Sequence, residues 1–258
     1  MPLATHYTKE QLASVFPRLA EFEFLDRGSF KSVYRVLDLD SGQQAALKVF
    51  TMPDDSSLQE GEREQEIGRI KRELSLLART NSPYIVSLAN MNPATVEIDA
   101  NQCVAYTEEF LEGSDLKKVI KKGLEPAKDE VINLLTCLVQ GIQTLWTQHK
   151  TIHRDIKPAN IFQTPDSQRP YVLLDLGIAY NVLEPGLTLD PNNVPGTRLY
   201  LAPEMLDPNF RQSLSFRADL YASGLSVYEF ASGGRHPLAK RGDSPVQTIT
   251  RILSQEPE

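Results

Sequence analysis

His153-Arg154-Asp155-Ile156-Lys157-Pro158-Ala159-Asn160 sets an acid, a cation and an amide carbonyl within eight residues. Pro158 has no backbone N–H to donate and biases Lys157 away from helix, so the stretch is a loop. It is entered from a helical pattern. Between 129 and 149 the apolar residues Ile132, Leu135, Leu138, Val139, Ile142, Leu145 and Trp146 recur at helical spacing, which predicts one long helix with those residues in the core. The chain leaves the loop toward Ile161-Phe162. Chemistry usually sits on loops carried by a rigid frame.

This stretch resembles the catalytic loop of protein kinases, whose pattern is His-Arg-Asp with an Asn five residues after the Asp. Other segments follow in the order the resemblance requires. A predicted turn at 164–170 leads into Tyr171-Val172-Leu173-Leu174 and then Asp175-Leu176-Gly177, similar to the family's metal-binding triplet with Leu in place of Phe. Gly196-Thr197-Arg198-Leu199-Tyr200 and Ala202-Pro203-Glu204 resemble the end of an activation segment. Asp219-Leu220-Tyr221-Ala222-Ser223-Gly224 resembles the start of the buried helix whose aspartate ties down the catalytic loop.

Upstream, Thr8 with Gln11 makes a capping box for a short helix with Leu12, Val15 and Phe16 on its apolar face, stopped at Pro17. Residues 25–34 read as strand, turn and strand and resemble the glycine-rich loop. Only its middle glycine, Gly28, is present; Asp26 and Lys31 stand where the family has its first and third. The loop is similar to that of with-no-lysine kinases, in which a loop lysine is the phosphate-binding cation. A second candidate is Lys48 in Ala45-Ala46-Leu47-Lys48-Val49, which resembles the family's Val-Ala-Ile-Lys strand. We take Lys48 as the primary cation and Lys31 as auxiliary. A solvated loop lysine is the other reading of Lys31.

A helix with Ile67, Ile70, Leu74 and Leu77 at helical spacing carries Glu73, with Glu66 among other acids on the same helix. Its distance from Ser82-Pro83-Tyr84-Ile85-Val86, which resembles the stretch after the family's αC helix, implies that Glu73 orients Lys48. The stretch from Cys103 to Phe110 alternates like a strand and resembles the approach to the interlobe hinge. Glu108 falls at the position gating the back pocket, or Thr107 if the register slips by one.

The resemblance implies an α+β, bilobal protein kinase fold. Residues 1–20 form an N-terminal helical extension. A small β-rich N-lobe with the helix the family calls αC covers about 21–110, and a larger, mainly helical C-lobe covers about 111–258. The family continues through two more helices, so the fold is expected to be truncated after αG, without the arginine that pairs with Glu204. Either the chain belongs to a longer protein, or a partner or the N-terminal helix compensates.

The implied function is serine/threonine protein kinase, moving the γ-phosphate of Mg-ATP to a protein hydroxyl. Asp155 is the expected base, Lys157 steadies the transferring phosphate, and Lys48 held by Glu73 positions the α- and β-phosphates. Asn160 and Asp175 offer the hard oxygens that Mg²⁺ prefers. Leu25, Gly28 and Lys31 line the nucleotide from the loop, Val33, Ala46 and Phe162 sandwich adenine, and Glu109 and Leu111 offer it backbone groups. Asp115 falls where kinases hold a ribose hydroxyl; a helix N-terminal acid favoured by the dipole is the other reading. Lys157 and Thr197 match the serine/threonine branch. Arg154 beside Asp155 makes Thr188 a candidate phosphosite, or simply a loop residue.

Composition bounds the rest. With 258 residues, 41% hydrophobic and 24% charged, the chain can bury a large core. A net charge of −7 counts against general affinity for nucleic acid or anionic membranes. No stretch approaches the ~20 apolar residues of a membrane span, and no signal peptide opens the chain, so a cytoplasmic location is expected. Cys103 and Cys137 read as reduced core thiols. The expected partner is a protein with a Ser or Thr acceptor, besides a regulatory partner or additional C-terminal segment. Two rivals remain: a pseudokinase scaffold, suggested by Asp26 and Lys31, and a small-molecule kinase of the aminoglycoside phosphotransferase type, opposed by Arg154, Lys157-Pro158 and Ala202-Pro203-Glu204.

Overall fold

The computed structural model describes residues 4–28, 31–52, 62–123, 125–176, 180–181, 198–206, 214–240, 242–243 and 245–254. Gly177, Thr188 and Thr197, and the side chains of Glu66 and Ile67, lie outside the described set. The chain divides into two compact units: Met1–Ala78 with Ser87–Leu111, and Arg79–Val86 with Glu112–Glu258.

The first unit begins with α1 (Lys9–Val15). Its cap is the expected box, the Thr8 hydroxyl accepting the Gln11 amide and the Gln11 side chain accepting the Thr8 amide. Then come β1 (Leu19–Arg27), β2 (Lys31–Asp38), β3 (Gln44–Thr51), α2 (Glu62–Arg79), β4 (Ala94–Ile98) and β5 (Asn101–Glu109). The strands form one antiparallel sheet in the order β1-β2-β3-β5-β4. Period-two alternation sorts its faces. On β2, Ser32, Tyr34, Val36 and Asp38 are buried, while Lys31, Val33, Arg35 and Leu37 are half-buried. Register aligns Tyr34 with Leu47 and Val36 with Ala45 on one face, and Val33 with Lys48 and Arg35 with Ala46 on the other.

The first of these faces holds the core of the unit. Tyr34, Val36, Leu47, Val49 and Cys103 pack there with Tyr7, Leu12 and Phe16, so the segment expected as an extension is built into this core. The Tyr7 hydroxyl also shares hydrogen bonds with Thr51 Oγ1 (2.9 Å) and Cys103 Sγ (3.2 Å). Among the described side chains of α2, the buried ones are Ile70, Glu73, Leu76 and Leu77. Leu74, expected in the stripe, is only half-buried, because the helix is rotated to set Glu73 within it.

The second unit contains β6 (Ser114–Asp115), α3 (Leu116–Lys121), α4 (Lys128–His149), β7 (Thr151–Ile152), β8 (Ile161–Gln163), β9 (Tyr171–Leu173) and β10 (Tyr180–Asn181). It ends with α5 (Pro203–Leu206), α6 (Arg217–Ala231) and α7 (Pro245–Ser254). The inward face of α4 carries Leu134, Cys137, Leu138, Gly141, Ile142 and Leu145. This corrects the expectation for Ile132, Leu135 and Val139, which are exposed. The helix has two apolar stripes, and spacing alone does not choose between them. Gly141 marks the packed one, since a Cβ there would lie 2.9 Å from Leu173 Cδ1. Both cysteines are buried free thiols. Among the described residues no helix is long and apolar enough to cross a membrane.

Candidate active site

In the second unit, α4 and β7 deliver the loop 153–160 and α6 fastens its backbone. Asp219, in the first turn of α6, is buried and accepts the His153 amide at Oδ2 (2.7 Å) and the Arg154 amide at Oδ1 (2.9 Å). Burial pushes its carboxyl above the usual aspartate range, while His153, Arg154 and their amides pull the other way. Arg154 needs such an anchor. Its φ of 66° lies in the left-handed region, which costs an L-residue about 1–2 kcal/mol. His153 links the loop to the segment that runs from β9 into Asp175. Its Nε2 lies 3.1 Å from the Leu174 carbonyl, which can only accept, so the proton sits on Nε2 and Nδ1 accepts the Asp155 amide at 3.3 Å.

The side chains of the loop then converge. Asp155 Oδ2 accepts Lys157 Nζ at 2.7 Å and Asn160 Nδ2 at 2.8 Å, and Nδ2 also donates to the Asp155 carbonyl at 2.9 Å. Two charge-assisted or polar donors on one oxygen fix the carboxylate's direction. With its nitrogen toward Asp155, Asn160 turns its carbonyl oxygen Oδ1 the other way. The β8–β9 ladder aligns Ile161 with Leu173, and the Leu174 amide donates to the Asn160 carbonyl at 2.9 Å. Asp175 follows directly, with φ 64°. A carboxylate and an amide oxygen are the donor set Mg²⁺ takes together with phosphate oxygens and water. Among the described residues no cluster of three or more His, Cys, Asp or Glu could hold a metal by itself.

Asp115 and Phe162 are cross-strand partners on β6 and β8. Asp115 caps α3, with Oδ1 accepting the Lys118 amide and Oδ2 paired with Lys118 Nζ, both at 2.9 Å. The helix-acid reading is therefore the one its geometry shows. Phe162 is half-buried.

In the first unit, Lys48 and Glu73 meet as expected, Nζ to Oε1 at 3.1 Å, both buried. The sequence did not lead us to a second partner. Glu108 Oε1 lies 2.5 Å from the same Nζ and is 3% exposed. Burial raises the Glu108 carboxyl pKa, Lys48 and Lys31 lower it, and Glu73 raises it further. Register also decides between Glu108 and Thr107 on the Lys48 face. Glu108 aligns with Ala46 and faces the Lys48 side, whereas Thr107 aligns with Leu47 on the core side and accepts the Met91 amide.

Lys31, Val33, Ala46 and Lys48 share that face of the sheet. Lys31 Nζ sits 5.8 Å from the centroid of Phe50, and Lys48 Nζ sits 5.7 Å from that of Tyr106. Leu25 lies at a register shift in β1 and is exposed. A Cβ at Gly28 would meet nothing within 4 Å, so packing does not demand its glycine. The Glu109 amide donates to the Ser87 carbonyl at 3.0 Å, which removes it from the groups a purine could use. Leu111 ends the unit and is half-buried.

The family model described as protein kinase domain matches residues 19–256. The chain is 29% identical over 240 residues to a probable serine/threonine-protein kinase of Streptomyces coelicolor, covering 91% of this chain and 32% of the relative. It is 29% identical over 246 residues to the MAP kinase kinase PBS2 of Saccharomyces cerevisiae, covering 92% and 33%. Protein kinase wis1 of Schizosaccharomyces pombe is 29% identical over 243 residues, covering 92% and 35%. The chain thus spans about a third of the length of each relative.

Proposed function

Because this chain belongs to the protein kinase domain family, we propose that it transfers the γ-phosphate of Mg-ATP to a serine or threonine hydroxyl of a protein, with Asp155 as the base. The observation that carries the reading is the aimed carboxylate of Asp155, held by Lys157 and Asn160 on a loop that Asp219 anchors. Phosphoryl transfer asks a protein mainly for positioning and charge stabilisation. Asp155 orients the acceptor hydroxyl and takes its proton. Lys157 steadies the moving phosphoryl group as charge redistributes. Lys48, kept in place by Glu73, holds the α- and β-phosphates, with Lys31 beside it on the same face. Asn160 and Asp175 would hold Mg²⁺, which when bound neutralises charge on the phosphates.

Leu25, Gly28, Val33, Ala46, Leu111 and Phe162 take the nucleotide's apolar and backbone contacts in this reading, together with the Glu109 carbonyl. A glycine that packing does not require fits close approach of a ligand to the backbone at Gly28. Asp115 keeps its ribose role alongside the cap. Lys157, two residues after Asp155, supports the serine/threonine branch.

The test is transfer of labelled γ-phosphate from Mg-ATP to a generic protein substrate and to the protein itself. Asp155→Asn is expected to reduce transfer about a hundredfold or more, the usual scale of a positioned base, and Lys48→Met to abolish it. Transfer that survives Lys48→Met moves the phosphate role to Lys31. Nucleotide binding without any transfer would return the chain to the scaffold alternative.

A further inference from the structure

We propose that Glu108 competes with nucleotide phosphate for Lys48, so that nucleotide binds more tightly as Glu108 takes up a proton. The inference rests on reading Lys48 as a phosphate anchor. Its ground is the geometry of one ammonium between two buried carboxylates, Glu73 at 3.1 Å and Glu108 at 2.5 Å. With all three groups ionised they carry a net charge of −1 where water is largely excluded.

The two carboxylates are held differently. Glu73 comes from a helix, whereas Glu108 comes from β5, which is hydrogen-bonded to β3 and sets Glu108 opposite Ala46 on the Lys48 face. The sheet itself therefore fixes the shorter contact. An arriving phosphate is a third anion around one cation. Like charges about 5 Å apart at a protein site repel strongly enough to change affinity tenfold or more. That repulsion ends if Glu108 takes a proton from solvent, forming a neutral carboxylic acid that leaves Lys48 to Glu73 and the phosphate.

Among the described residues the charged groups acting on Glu108 are Lys48 on β3, Glu73 on α2 and Lys31 on β2. Burial and Glu73 favour the protonated form, and both lysines oppose it. Bound phosphate tilts that balance further toward the acid, so the Glu108 pKa is higher in the complex than in the free protein. Linkage then fixes the sign: affinity is greatest below both pKa values and declines as pH rises between them.

The experiment is direct titration of the full chain with MgADP between about pH 6 and about pH 8, for the wild type and Glu108→Gln. Gln keeps the shape and an acceptor for Lys48 but carries no charge. Glu108→Gln is expected to bind on the order of tenfold more tightly near pH 8, with the advantage shrinking toward pH 6. The ratio at each pH cancels the nucleotide's own titration, and a purely structural role for Glu108 would not make that ratio depend on pH. Glu108→Met serves in the same comparison if the Gln variant does not fold. Equal or weaker binding by the neutral variant, a ratio that ignores pH, or a wild type that binds no MgADP overturns the proposal. Phosphate transfer is measured separately. Its absence with pH-linked binding intact counts against the kinase reading and leaves the Glu108 competition supported.

Discussion

Asp219→Ala is the most informative single change in the second unit. Asp219 is 1% exposed, and its two oxygens take the amides of His153 and Arg154, which are 0% and 7% exposed. Alanine leaves both amides without their acceptor in a place water does not reach, at about 1–3 kcal/mol each. The expected loss is therefore about 2–6 kcal/mol. It falls on the loop that holds Arg154 at φ 66°, so the backbone beside Asp155 is released as well. Asp219→Asn keeps one acceptor oxygen and removes a buried charge whose pKa burial has already raised. Its loss should be about half as large. Trp146, the only tryptophan, packs against the cluster of Ile152, Leu201, Met205 and Ala218 beside Asp219 and reports on unfolding there. Urea titration followed by Trp146 fluorescence gives midpoint and slope for the three proteins. Phosphate transfer by the same samples should fall in the same order. An alanine variant within about 0.5 kcal/mol of the wild type, or an asparagine variant less stable than alanine, would refute the anchoring role.

Gly113→Ala should be among the costliest small changes: φ is +129° and the new Cβ would lie 2.0 Å from the Gln163 carbonyl oxygen, a backbone atom. We expect a loss of about 3 kcal/mol or more by the same fluorescence titration. Gly123→Ala, with φ +70° and open space around the Cβ, should lose only about 1–2 kcal/mol; equal losses would mean that the steric contact is not what matters. His236 should make the second unit acid-sensitive. Its Nδ1 accepts the Leu238 and Ala239 amides at 3.1 and 3.0 Å, and its Nε2–H donates to the Leu199 carbonyl at 3.0 Å, so the ring must be neutral. Burial lowers its pKa. Stability should then fall as pH drops below the unfolded value of about 6.5 toward the lower folded one, by about 1.4 kcal/mol for each unit of difference. His236→Gln should flatten that slope, and parallel slopes would remove His236 from the account.

Much of this architecture is legible in the sequence, and for local reasons. The Thr8–Gln11 cap, the β1–β2 hairpin and the turn between β8 and β9 depend on residues close in sequence. The loop 153–160 was legible for the same reason. Asp155, Lys157 and Asn160 are near neighbours in the chain, and one proline fixes the loop's character. Helix faces were harder. On α4, Leu138 and Ile142 lie inward while Ile132, Leu135 and Val139 face solvent, and both stripes have helical spacing. Only a partner surface chooses between them, and Gly141 was the one local mark of it.

The Lys48 cluster shows where that kind of reading stops. A one-residue slip on β5 exchanges Thr107 and Glu108 between the two faces of the sheet, so the sequence left both as candidates for the gate. Pairing with β3 decides: Ala46 opposite Glu108 places the acid on the Lys48 side. Once it is there, burial brings its carboxylate onto a cation that Glu73 already holds. Glu73 could be anticipated from its place in the family pattern, by its distance from Ser82-Pro83-Tyr84-Ile85-Val86, whereas the second acid depends on strand register across 60 residues of chain. Removing either carboxylate should therefore act in opposite senses. Without Glu73, Lys48 remains bound to a partner fixed by the sheet; without Glu108, it remains bound to the partner that leaves it facing phosphate.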